Sequence, residues 1–217
     1  TAQRLADAAP DSKRAYMLRN TALANLGRWD EVRRFAEQRL ATTPDDPVAL
    51  QSLYGAAERR GDLEEAGSYL QRIVDSGKAD DTVFNNLAWL ALFRGKVDEK
   101  AVEQAQRAAM LDEYTSSSSL HTLASLYADL GRTAEAYQVI LQALEAGGGA
   151  PDSDDWFVFG RLAEHYSLPE AARRYYERVK EPEAETDFTS TWRLARKRLS
   201  ALGPEAKKPK QARKGAP

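Results

Sequence analysis

Apolar residues recur at helical spacing along most of the chain, and nowhere more densely than in residues 82–95, TVFNNLAWLALFRG. Phe84, Leu87, Ala88 and Ala91 form one stripe, while Asn85, Trp89, Leu92 and Phe93 follow a second line on the adjacent face. One stripe suffices to bury a helix against its neighbours; a second predicts that the helix covers something besides its local core. The pattern then repeats. Gly27, Gly61 and Gly95 stand 34 residues apart, Gly131 follows 36 later, and Pro10 and Pro44 are also separated by 34. Each glycine lies between two apolar segments, in ANLGRWDEV, ERRGDLEEA, LFRGKVDEK and ADLGRTAEA, where a positive φ turns the chain from one helix into the next. Asp46-Pro47, Asp80-Asp81 and Ser153-Asp154-Asp155 supply helix starts, with carboxylate or hydroxyl acceptors for the first free amides.

Composition agrees with helices throughout. Val and Ile are sparse while Ala, Leu, Glu and Arg dominate, so the expected class is all-α. With 217 residues, 42% of them hydrophobic, the chain can bury a substantial core. Cysteine is absent, which excludes disulfides and thiolate metal sites, and no apolar run is long enough to span a membrane. The formal net charge of −2 conceals an asymmetry: from Thr191 onward nine basic residues face Glu205 alone. The localisation stays open. The chain starts at Thr1 rather than at methionine, and residues 1–12 read as the remnant of a preceding second helix, so a longer array is expected.

The beat resembles that of the tetratricopeptide repeat family, whose pattern sets a large residue, a Leu-small pair and an aromatic ahead of the glycine, then Ala, aromatic, Ala and Pro beyond it. Residues 13–46 form the first repeat with Tyr16, Leu23, Gly27, Trp29 and Pro44; residues 47–80 form the second with Leu50, Leu53, Tyr54, Ala57, Gly61 and Ala66. The third, 81–116, fits through Phe84, Leu87, Ala88, Ala91, Gly95, Ala101, Ala105 and Ala108, with an insertion after Gly95 and an extension at Glu113 and Tyr114. The fourth, 117–150, matches best: Leu120, Leu123, Ala124, Tyr127, Gly131, Ala136, Ile140 and Ala143. A fifth, divergent repeat at 151–185 keeps W-x-x-F-G at Trp156, Phe159 and Gly160, but turns at Ser167-Leu168-Pro169 without glycine. Residues 186–203 then read as a capping helix whose outer side is made polar by Arg193, Arg196, Lys197 and Arg198. Residues 204–217 read as a basic, disordered tail that carries no aromatic for stacking on bases, so no specific nucleic-acid binding is expected.

The resemblance implies a right-handed α-α superhelix of about five hairpins plus the cap, acting as a protein-protein interaction scaffold. In that family the first helices line the concave wall, which places Met17, Thr21, Gln51, Asn85, Asn86, Trp89, Phe93, His121, Thr122, Ser125, Phe157 and Arg161 on a partner-binding face, with its centre in the third and fourth repeats. Amides of this kind exchange hydrogen bonds with a peptide backbone, and Trp89 with Phe93 can anchor an apolar side chain. The same two rings also suit packing between neighbouring first helices. A ligand with a free carboxylate fits less well, since only Arg14, Asn85 and Asn86 resemble part of the clamp that such ligands require.

Catalysis is not expected. HExxH, GxSxG and GxxxxGK[ST] are all missing, His165 beside Glu164 has no nucleophile at a recognisable spacing, and no cofactor or metal is implied. Gly147-Gly148-Gly149 precedes carboxylates and suits a joint better than a phosphate cradle. The competing readings are a repeat segment of a larger, catalytic protein and a self-assembly module; the oligomeric state is left open.

Overall fold

The computed structural model describes residues 12–183 and 187–203. The remnant helix expected at the start and the basic tail fall outside the described residues. Among those described, eleven helices follow one another with no strand. They are α1 (Lys13–Asn25), α2 (Trp29–Thr42), α3 (Pro47–Arg59), α4 (Leu63–Asp75), α5 (Asp81–Arg94), α6 (Glu99–Leu111), α7 (Ser117–Asp129), α8 (Thr133–Ala146), α9 (Asp155–His165), α10 (Pro169–Tyr176) and α11 (Thr191–Ala201). Helices α1 to α10 pair as five hairpins, and each hairpin stacks on the next.

Local chemistry sets the boundaries. Asp46 Oδ1 accepts from the amides of Val48 and Ala49 with Pro47 at the first helical position, and Asp80 caps α5 through the Val83 amide. The third expected cap works differently: Asp154 makes no side-chain cap bond, and Asp152 Oδ1 instead accepts from the amides of Asp154 and Asp155. At the extended third repeat, Glu113 and Tyr114 both adopt positive φ, 55° and 59°. Ser167 does so at 58° where the other hairpin turns carry glycine, at a cost of about 1 kcal/mol.

Alanines at the crossings let the backbones approach closely. The core divides into three clusters: a small one under α1 to α3 around Tyr16, Ala36 and Leu53; a second around Leu50, Leu70, Ile73, Val83, Leu87 and Leu90; and a larger one from α5 to α11. Helix α5 belongs to two of them, giving Val83, Leu87 and Leu90 to the second and Ala88, Ala91 and Leu92 to the third. That double membership accounts for most of its apolar excess. The stripe of Phe84, Leu87, Ala88 and Ala91 is buried, as is Leu92, whereas Asn85, Trp89 and Phe93 stay half-buried.

Gly160 lies where α9 meets α10 most tightly. A Cβ there would sit 2.3 Å from the Tyr176 ring, so only glycine fits. Helix α11 closes the stack through Leu194 and Ala195, with Trp192, Leu199 and Leu202 packed on the same cluster. Its basic residues divide. Arg196 and Lys197 face solvent as expected of a polar outer side, but Arg198 turns inward to Glu164, and Arg193 donates from Nε to the Asp187 carbonyl at 2.7 Å.

Candidate functional site

Two adjoining clefts run along the wall of first helices. The first, about 380 Å³, is lined by α1, α3 and the start of α5, with Met17, Thr21, Gln51, Tyr54, Gly55 and Asn86 among its residues. Its floor is polar: Asn20 Nδ2 donates to Ser52 Oγ at 3.2 Å, and Ser52 Oγ donates onward to the Val48 carbonyl at 2.9 Å. Met17 is 46% exposed at its rim.

The second cleft, about 430 Å³, continues over α3, α5 and α7 through Tyr54, Glu58, Asn85, Asn86, Trp89, Ser118, His121 and Thr122. Trp89 forms its apolar centre, edge-on to Phe93 with ring centroids 5.4 Å apart and tilted 5.6 Å from His121. His121 Nε2 donates to the Asp154 carbonyl at 3.0 Å, which fixes the ring beside the indole. Glu58 Oε1 accepts from the Tyr54 hydroxyl at 3.1 Å. Burial pushes the Tyr54 hydroxyl well above its ordinary pKa, and the Glu58 charge and hydrogen bond add to the shift, so Tyr54 remains a donor.

One wall of this cleft is a distant piece of the chain, Asp187, Thr189, Ser190 and Thr191, which covers Trp89 and Glu58. Between α10 and α11, residues 187–190 cross in front of α5, and the Trp89 indole N–H donates to the Thr189 carbonyl at 2.9 Å. The Thr189 hydroxyl donates to Glu58 Oε1 at 2.7 Å. The Phe188 ring lies on the turn between α3 and α4, so close that a Cβ at Gly61 would meet it at 3.2 Å, and Arg193 stacks above it 5.0 Å from the centroid. Hydrogen bonds of this sort contribute about 1 kcal/mol each. Asp187 also holds the strap in a turn, its Oδ1 accepting from the Thr189 amide at 3.3 Å, and ties it to α11 where its carbonyl accepts from Arg193 Nε.

The twelve residues expected on the binding face separate accordingly. Met17, Thr21, Gln51 and Asn86 border the open cleft; Asn85, Asn86, Trp89, His121 and Thr122 border the strapped one, with Phe93 against Trp89. His121 and Thr122, although they border the cleft, are buried, and so are Ser125, Phe157 and Arg161. Phe157 packs on Tyr176, with centroids 6.0 Å apart. Arg161 bridges Asp129 and Glu164 at 3.2 Å each, tying the end of α7 to α9. Of the groove residues outside that set, Tyr54, Ser118 and Asp154 emerge only here, as does the strap itself.

Glu164 is the second electrostatic centre. Burial pushes its carboxyl pKa up, but hydrogen bonds from Arg198 and Tyr176, with the charges of Arg161 and Arg198, outweigh burial and hold it below the usual range. Its partners come from α9, α10 and α11, so the carboxylate fastens the helix on which the strap ends.

Comparison with known proteins adds the decisive pattern. The family model for the tetratricopeptide repeat matches residues 119–152, which take in nearly all of α7 and α8. The whole stack superposes on YrrB, described as a TPR protein with an unusual peptide-binding site, with a TM-score of 0.66 and 16% identity over 92% of this chain and 100% of that one. Residues 119–152 are a tetratricopeptide repeat, and the stack around them has the TPR fold. Its hairpins follow the same solenoid path as MamA (TM-score 0.61, 18% identity, 76% of this chain and 87% of that one). They also follow a thermophilic TPR protein of Thermus thermophilus (TM-score 0.56, 19% identity, 88% of this chain and 98% of that one). No curated protein matches by sequence. In this TPR array, as in the fold at large, successive first helices form one wall of a superhelix, and both clefts lie on it. No helix among the described residues is long and apolar enough to cross a membrane.

Proposed function

We propose that this TPR array is a non-catalytic scaffold that binds an extended peptide or protein segment along its first-helix wall. The observation that carries the reading is the strap: the wall already engages a turn of its own chain through a backbone carbonyl, which every peptide has, and through a threonine hydroxyl, while an aromatic ring packs on the neighbouring helix turn. The open cleft beside it presents Gln51, Asn86 and Thr21 with Met17 at the edge, a set that suits a peptide backbone and an apolar side chain. The peptide-binding site ascribed to YrrB points the same way. Both histidines serve as backbone staples, His121 to Asp154 and His165 to Ala128, and no reaction is assigned to either.

Photo-crosslinking tests the reading. A benzoyl-phenylalanine at Gln51 is expected to capture a partner in the source cell that the same probe at Lys100, outside both clefts, does not capture. A Met17→Glu, Gln51→Arg variant with unchanged helicity should lose the partner. Equal capture from both probe positions, or undiminished capture by the double variant, would remove the wall from consideration.

A further inference from the structure

Resting on that reading, we propose that residues 187–190, Asp-Phe-Thr-Ser, are a resident competitor in the strapped cleft. The ligand admitted there is then a peptide that turns at an aromatic residue followed by threonine or serine, as Phe188 and Thr189 do, and that enters by displacing the strap.

Three features of the geometry carry this. The contacts to the wall are of a kind a bound peptide can reproduce: the Trp89 indole donates to a main-chain carbonyl, which every peptide has, and Glu58 accepts from the hydroxyl that follows the aromatic. Residues Asp187 to Ser190 all stay half-buried, so none is locked into the core. Finally, the strap is anchored on both sides by contacts other than those to Trp89 and Glu58. Lys180 is tied back to Ser153 through its amide at 2.7 Å, and α11 is anchored by Leu194, Ala195 and the Arg198–Glu164 pair, so the strap can leave while the cap stays.

Specificity follows from the same contacts. Glu58 accepts from Tyr54 and Thr189 together, so a hydroxyl donor completes its shell, whereas a methyl in its place leaves the carboxylate short of one bond. A phosphorylated threonine would bring a second anion against Glu58. The cleft thus reads an unmodified hydroxyl.

The test uses the full chain and a fluorescein-labelled heptapeptide of residues 187–193, followed by fluorescence anisotropy. Wild type should bind it weakly because its own strap takes up the Trp89 and Glu58 hydrogen bonds. Phe188→Ala with Thr189→Ala, which vacates the cleft, should bind at least about tenfold tighter, the factor by which a closed fraction of nine-tenths lowers apparent affinity. Thr189→Val changes one hydroxyl for a methyl and gives an intermediate gain, covering the case in which the double variant fails to fold. On the released protein, heptapeptides with valine or phosphothreonine in place of the threonine should lose most of the binding, and so should Glu58→Ala. Equal affinity of wild type and both released variants, no binding by either, or equal binding of the valine and phosphothreonine peptides to that of the parent peptide would overturn the inference. If the peptide fails while crosslinking from Gln51 still captures a partner, the competitor is disproved and the scaffold reading stands.

Discussion

The two halves of the first-helix wall share much of their own lining but differ in what a distant segment adds to it. Both offer amides, a tyrosine edge and a large apolar side chain, and Tyr54 and Asn86 belong to both. The N-terminal half holds none of the strap, while the C-terminal half carries residues 187–190 across Trp89. The difference arises outside the wall, in the long connection between α10 and α11. A solenoid can therefore change which stretch of its groove is accessible by altering one link, without changing the repeats that build it.

The largest expected effect tests what holds the strapped half together. Glu164→Ala leaves Arg161, Arg198 and the Tyr176 hydroxyl without their common acceptor, and should cost about 3 kcal/mol by denaturant unfolding. The loss should fall on α11 and the strap first, seen as faster amide exchange there than in α1 to α4. The same group predicts a pH dependence. Its folded pKa is depressed, so its contribution is fully present above the unfolded value of about 4.3 and disappears as pH falls through the lower folded value. Wild type should lose stability below about pH 5 more steeply than Glu164→Gln. Parallel curves would show that Glu164 does not supply the acid sensitivity.

Gly160→Ala comes next. Its new methyl would press on the Tyr176 ring, and overpacking of this kind costs about 1–3 kcal/mol. Because α9 and α10 support the cap, the variant should raise peptide access to the C-terminal half without altering the N-terminal cleft. A smaller effect of opposite sign is expected at the turn between those helices. Ser167 has φ of 58°, so Ser167→Gly should stabilise the chain by about 0.5–1 kcal/mol in thermal or chemical unfolding. A loss instead would mean that the serine side chain contributes more than its backbone costs.

How much of this can be read from the residues depends on the range of the interactions. Hairpins announce themselves locally: turn glycines at a fixed beat, Asp46-Pro47 at a helix start, alanines at the crossings. The groove residues are only partly legible, because helix periodicity assigns a face but not what covers it. Helix α7 is the clearest case. His121, Thr122 and Ser125 look like surface positions by polarity, yet ten of its thirteen residues are buried because hairpins on both sides and α9 enclose it. The strap is not legible at all. Its contacts join residues 100 and 131 positions apart, outside any repeat, and an Asp-Phe-Thr-Ser stretch carries no periodic signal. For the same reason Arg198 reads as a solvent-facing residue, although its partner lies 34 residues upstream on α9.

The doubly apolar stretch of α5 accordingly has two roles. One stripe joins the core clusters, and Trp89 meets a partner that turns out to be a distant part of its own chain. The most direct measurement of the central claim is hydrogen exchange at the Trp89 indole N–H, followed by ¹⁵N-tryptophan spectra. Slow exchange in the intact protein that becomes fast in Phe188→Ala, Thr189→Ala, with helicity unchanged, is the predicted result. Fast exchange in both would contradict it, because the strapped half of the groove would then be as open as its neighbour.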